Sequence, residues 1–199
     1  MLPAIILAAG ASSRMGSAKA ILPAPDGRPF VARIVRVLLD AGITRIAVVT
    51  GRDHDAIVHA VAADEPAVLP LFPRNDDPGR GQLSSLWVGM DAVLTAETEG
   101  VMMTLVDVPM LDAGTIARVI EAWRRTRAPI VRPAIGDRHG HTVIFDRALF
   151  AALRAAPLDG GAKTVVRAHE GAIVNVPVSD DGSLIDVDTP ADYERLRRR

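Results

Sequence analysis

Two rhythms of apolar and polar positions alternate along the chain. Near-continuous apolar runs, the pattern of strands buried on both faces, fall at 3–8, 45–50, 68–71, 100–106, 172–176 and 184–187. Two more, at 129–133 and 142–145, flank a Gly/His turn. Between them, apolar residues recur three or four positions apart, which predicts amphipathic helices. The first spans 29–41, with Ile34, Val35, Leu38 and Leu39 as its stripe, Pro29 in its first turn and Gly42 at its end. Others span 53–62, 82–96 (core positions Leu83, Leu86, Val88, Met90 and Val93), 112–125 with Asp112 as its cap, and 162–169. A short helix follows Asp146 to about 154, and a last one spans 190–197 with Thr189 as its cap. Residues 72–81, rich in Pro, Gly, Asn and Asp, read as a loop. Strand–helix alternation of this kind implies an α/β fold: a three-layer, mainly parallel Rossmann-like sheet covered by helices on both faces.

Composition narrows the classes. With 199 residues the chain suits one domain, 1–199. The formal net charge is −1, and the only run of like charge, Arg197 to Arg199, ends a helix where cations complement the dipole. Nucleic acid is therefore not an expected partner. There is no cysteine, so disulfide and thiolate chemistry are excluded. No apolar segment is long enough to span a bilayer, so no membrane is expected. The chain opens on a strand without a basic leader, and a cytoplasmic location is the expectation.

Three stretches carry candidate chemistry, and all fall where open α/β sheets bind ligands, beyond the carboxyl ends of strands. The first runs from Leu7 to Lys19. A buried strand enters a loop of small residues with two cations, Arg14 and Lys19, and no acid. Small residues let backbone N–H groups approach an anion, and the cations neutralise it, so this describes a phosphate cradle. Neither the P-loop spacing nor Gly-x-Gly-x-x-Gly is met. The second is Leu105-Val106-Asp107-Val108-Pro109, an acid directly after a buried strand, placed to hold a hard cation. The third is Asp186-Val187-Asp188-Thr189-Pro190, where two acids share one face. Oxygen-only ligands with phosphates specify Mg²⁺. His139 and His141 give only a weak zinc signal.

The run Leu7-Ala8-Ala9-Gly10-x-Ser12-x-Arg14-Met15-Gly16-x-x-Lys19 resembles the signature loop of the MobA-like nucleotidyltransferases, and the likeness extends along nearly the whole chain. It implies a nucleotide-diphospho-sugar transferase (GT-A-like) fold and transfer of a nucleoside monophosphate to a phosphorylated acceptor. On it, Leu7, Ala8, Ala9, Gly10, Ala11, Ser12, Arg14 and Lys19 would hold the nucleotide, with Arg14, Lys19 and Asp107 catalytic. Asn75 through Gly79, then Gly81-Gln82-Leu83-Ser84-Ser85-Leu86, resembles the segment that contacts base and ribose, which suggests Asn75, Gly81, Ser84 and Ser85. Asp107 and Asp188 would ligate Mg²⁺, with Asp186 as the alternative to Asp188. Arg138 to Thr142 resembles the Gly-His-Pro element near the acceptor, with Thr142 in the place of proline, which suggests His141. Asp159 to Lys163 resembles a Gly-Asp-x-Gly element, which suggests Lys163 for an acceptor phosphate.

The domain would then divide into a nucleotide-binding part (1–128), an acceptor-binding part (129–182) and a closing strand and helix (183–199). Leu-Ala-Ala-Gly rather than Leu-Ala-Gly-Gly is the version associated with CTP. The nearest resemblance is therefore to MocA-type molybdenum cofactor cytidylyltransferases, with CTP and a molybdopterin-type acceptor as substrates and a molybdenum oxidoreductase as a transient partner. Two alternatives stay open: another nucleotide or acceptor (GTP with molybdopterin, a sugar 1-phosphate, a small phosphorylated acid), and a non-catalytic molybdopterin-binding chaperone.

Overall fold

Period-2 burial fixes the layers. The computed structural model describes residues 1–10, 15, 18–64 and 69–199. Its seven-stranded sheet comprises β1 (Ala4–Leu7), β2 (Ile46–Val49), β3 (Gly100–Leu105), β4 (Ile130–Ile135), β5 (Arg138–His139), β6 (Val143–Asp146) and β7 (Ile173–Pro177). The order is β2-β1-β3-β6-β4, with β7 and β5 also paired to β4. Pairs β1–β2, β1–β3 and β4–β7 are parallel, whereas β6 runs antiparallel to β3 and β4, and β5 antiparallel to β4. The sheet is thus mainly parallel, as expected.

Ala4, Ile6 and Ala8 face one side. There they pack with α1 (Phe30–Asp40), α2 (His54–Asp64) and α4 (Ala113–Thr126). Ile5, Leu7 and Ala9 face the other side, against α3 (Gln82–Val93), α5 (Phe150–Ala155) and α6 (Gly161–Ala168). All four residues of β1 are buried, which explains its unbroken apolar run. A small satellite core joins Phe30 and Val187 to Leu196 of α7 (Pro190–Arg197). Thr189 and Asp192 form a capping box at the start of α7, as the sequence Thr-Pro-x-Asp suggests.

Two expected strands are absent from the described residues. Of 68–71, Val68 lies outside the described residues, and Leu71 makes only an isolated parallel bridge to Ala47, followed by one from Arg74 to Thr50. Pro70 and Pro73 have no N–H to give to a ladder, so this segment can only touch the outer edge of β2. The expected closing strand at 184–187 is replaced by a 3₁₀ turn, Gly182–Leu184, and an extended segment that lies over the end of β3. Its apolar Val187 is used by the satellite core instead of a sheet face. Helix 82–96 stops at Val93, because Leu94 is extended and the Thr98 hydroxyl takes the Thr95 amide at 2.9 Å. The expected Gly/His turn proves to be an interruption: β5 and β6 both face β4, and Gly140 to Thr142 lie between them.

α3 lies very close to the sheet. A Cβ at Gly89 would meet Ile5 Cγ2 at 2.4 Å and Val49 Cγ2 at 3.0 Å. Both are β-branched side chains in a filled layer. Gly89→Ala is therefore expected to destabilise by about 1–3 kcal/mol, read as a lower melting temperature; an unchanged one would show that the layer has room.

Candidate active site

β1 and β3 run side by side, so their carboxyl ends open at one place. Leu7, Ala9 and Gly10 from the first, with Leu105, Val106 and Asp107 from the second, form one wall of a cavity of about 290 Å³. Pro78, Gln82 and Ser85, at and before the start of α3, form another, and Lys19 and Asp188 face them. The volume lies near the lower end for small-molecule sites.

The charges in it are unequal in partners. Lys19, 9% exposed, donates from Nζ to Asp188 Oδ1 at 2.6 Å. Asp107 Oδ1 is buried and accepts no hydrogen bond. Burial pushes the Asp107 carboxyl above the usual aspartate range; the positive charge of Lys19 opposes this, while Asp186 and Asp188 add to it. A buried carboxylate oxygen with no donor, flanked by further carboxylates, fits a hard divalent cation. Among the described residues no three His, Cys, Asp or Glu side chains converge to hold a metal on their own. The set fits a cation that takes one or two carboxylates and completes its shell with phosphate and water, as Mg²⁺ does.

The main chain around Asp107 ties three loops together. Its carbonyl accepts from Val187 N at 2.8 Å, which docks the 185–188 segment and brings Asp188 to the cavity. The carbonyl of Ser183 accepts from His141 N at 2.8 Å. Gly140 and Gly182 are needed at this junction. A Cβ at Gly140 would come within 2.6 Å of Ser183 Oγ, and one at Gly182 within 1.8 Å of the Met110 carbonyl. His141 is half-buried, and its Nδ1 has no hydrogen-bond partner.

The first turn of α3 is braced from behind. Asn75 is buried and donates from Nδ2 to both Ser84 Oγ and Ser85 Oγ at 2.9 Å, and Ser84 donates to the Gly81 carbonyl at 2.7 Å. Of the four residues expected to contact a nucleotide here, Ser85 therefore lines the cavity, while Asn75, Gly81 and Ser84 support it. Leu7, Ala9, Gly10, Lys19, Asp107 and Asp188 also line it; Ala8 faces the opposite layer, and Asp186 is exposed beside the cavity. Lys163 is exposed on α6 and does not reach the cavity wall. Ala11, Ser12 and Arg14 lie outside the described residues. Pro78, Gln82, Leu105 and Val106, which also line the cavity, lie within the stretches singled out from the sequence but carry no charge and receive no role there. Sequence reasoning passes over Gly51, whose Cβ would stand 2.8 Å from the Ala9 carbonyl.

Residues 4–173 match the family model of the MobA-like NTP transferase domain. Nicotine blue oxidoreductase from Paenarthrobacter nicotinovorans is 30% identical over 96% of this chain and 94% of its own. A probable molybdenum cofactor guanylyltransferase from Rhodopirellula baltica is 30% identical over 64% of this chain and 58% of its own. Against a bifunctional GlmU protein from Rhizobium etli the chain spans 23% of that protein's length, at 33% identity over 54% of this chain. Among solved structures, Rv0371c from Mycobacterium tuberculosis superposes with a TM-score of 0.83 at 26% identity, covering 100% of this chain and 98% of that one. A complex of Rv0371c with manganese superposes at 0.80 with 25% identity, covering 100% and 98%.

The unpaired carboxylate has a thermodynamic signature. With its folded-state value raised, Asp107 keeps a proton over a pH range in which the unfolded chain has released it. Its contribution to stability falls as pH rises through that range and stays unfavourable above it. Asp107→Asn is expected to raise the melting temperature of the metal-free protein at pH 7, with the gain vanishing below about pH 4, the ordinary aspartate range. Calorimetry across pH checks this, and an equal or lower value at pH 7 would contradict an uncompensated charge.

Proposed function

This chain belongs to the MobA-like NTP transferase family and is a nucleotidyltransferase, and from that premise we propose that it moves CMP from CTP to the terminal phosphate of a molybdopterin-type cofactor. The observation that carries the proposal is the half-buried Asp107, its buried Oδ1 without a donor, in one cavity at the strand ends with Lys19 and Asp188. Phosphoryl chemistry asks for positioning and charge neutralisation, and these groups supply both.

In this reading an oxygen of the acceptor phosphate attacks the α-phosphorus of CTP. The bond from that phosphorus to the bridging oxygen breaks, and pyrophosphate leaves with the electron pair. The nucleophile is already ionised, so no general base is needed. Lys19 and Arg14 hold the β- and γ-phosphates and stabilise the leaving group. Gly10, Ala11 and Ser12 provide donors to the phosphates. Asp107 and Asp188 would hold Mg²⁺ or a similar divalent ion, which supplies charge neutralisation between the reacting phosphates; the manganese complex of the Rv0371c structure supports an ion of this class. Residues 1–128 would form the nucleotide side and 129–182 the acceptor side, with His141 and Lys163 as candidates to meet parts of the acceptor that extend beyond the cavity wall. Residues 183–199 bring in Asp188, and a molybdenum oxidoreductase would receive the product.

CTP is favoured over GTP because Ala9 puts a methyl group on the cavity wall and Gly51 closes tightly behind it. The Rhodopirellula relative, by its name a guanylyltransferase, supports the acceptor class and sets the competing base. The name of the Paenarthrobacter relative denotes an oxidoreductase. The sequence offers no Gly-x-Gly-x-x-Gly for a dinucleotide, whereas its paired acids and lysine suit phosphate.

Pyrophosphate release with molybdopterin and each nucleoside triphosphate, in Mg²⁺, tests the proposal. CTP is expected to give the highest kcat/KM. Asp107→Ala and Lys19→Ala are each expected to lower it by about 10²-fold or more. Preference for GTP would overturn the base assignment and leave the transferase standing. Binding of CTP with no pyrophosphate from any acceptor would favour a chaperone. In the same panel, CTP at 100 times its Kd should stabilise by about 2.7 kcal/mol.

A further inference from the structure

The turn that presents Asp107 is held by a residue outside the cavity. Between the end of β3 and the Asp112 cap of α4, Pro109 has no N–H, so the turn has few internal donors for its own carbonyls. The carbonyls of Pro109 and Leu111 point instead to α1, where Arg33 Nη1 donates to both, at 2.6 and 3.1 Å. The carbonyl between them, of Met110, abuts Gly182. Arg33 Nε is paired with Asp26 Oδ2 at 3.2 Å, and its side chain is 19% exposed. One planar guanidinium thus spans two partners on opposite sides, which a single ammonium cannot do.

We propose that Arg33 is a positioning residue for Asp107 and, through the Asp107 carbonyl that accepts from Val187 N, for the segment that carries Asp188. The proposal rests on the reading of those two acids as the metal-holding pair. Arg33 touches no substrate. It fixes the turn from the α1 side while Gly182 fixes it from the other, so both carboxylates keep their spacing when the cavity fills. Loss of the guanidinium removes both hydrogen bonds to the turn together with the ion pair to Asp26, and frees the turn without opening the sheet.

The test compares wild type with Arg33→Met and Arg33→Lys. Residue-resolved hydrogen exchange at the Val187 amide reports the hold on Asp107 without any metal, with Ile6 in β1 as the reference for global opening. Mn²⁺ affinity in the presence of CTP, by electron paramagnetic resonance, reports the spacing of the acids. Arg33→Met is expected to speed exchange at Val187 tenfold or more with Ile6 unchanged, to weaken Mn²⁺ binding at least tenfold, and to leave the KM for CTP within twofold. Arg33→Lys should recover part of each. Wild-type exchange at Val187, equal acceleration at Val187 and Ile6, or unchanged Mn²⁺ affinity would each overturn the proposal. If Arg33→Met does not fold, Arg33→Lys carries the same comparison. If wild type itself binds no Mn²⁺, the metal reading falls, and Val187 exchange alone decides whether Arg33 holds the turn.

Discussion

A carboxylate oxygen buried without a donor is the constraint around which this protein is arranged. Ionised, Asp107 is unfavourable where it stands, because burial outweighs the help of Lys19. It persists because the main chain gives it no choice. β3 is paired on both sides, and the turn after it is gripped by Arg33, by the Val187 amide and by the close approach of Gly182. Rigid surroundings that keep a charge unsatisfied are what a site for a cation and phosphates requires.

The same turn explains how distant parts of the chain reach one cavity. β1 and β3 are neighbours and deliver Ala9, Gly10 and Asp107 together. The second half of the chain adds β6, β4 and β7 to the same sheet instead of folding apart from it. Between β5 and β6 the partner strand of β4 is interrupted at His141 and Thr142, just after Gly140 N donates to the Pro133 carbonyl, and there His141 turns to bond the Ser183 carbonyl. The segment from Gly182 to Asp188 lies across the turn after β3 and the break before β6, so it works as a clasp in place of the strand its apolar residues suggest.

The sheet and its helices were legible because burial on both faces leaves an unmistakable trace. The run Ala4 to Leu7, the stripe of α1 and the Thr189 cap all stand where the pattern puts them. The failures have local causes. Pro70 and Pro73 break a ladder that the flanking apolar residues advertise, and Val187 is apolar for the sake of Phe30 and Leu196. At the site, charged residues were conspicuous: Lys19, Asp107 and Asp188 do meet. Their roles came from a resemblance, since spacing alone does not distinguish a ligand from a capping acid. Arg33 and Gly182 were invisible because their partners are backbone carbonyls far away in sequence. Asn75 and Ser84 were visible as polar residues, but their use as a brace behind Ser85 needed coordinates.

The ion pair between Lys19 and Asp188 has a consequence for the energetics of occupancy. Any ligand that claims either group begins by breaking a short contact that is shielded at its lysine end. The heat of binding is then a difference between two sets of strong interactions and understates both. Lys19 and Asp188 serve as each other's counter-ions, so within the protein the charges of the cavity are partly matched. Filling it becomes an exchange of partners, which favours a cation and an anion arriving as one complex over either arriving alone.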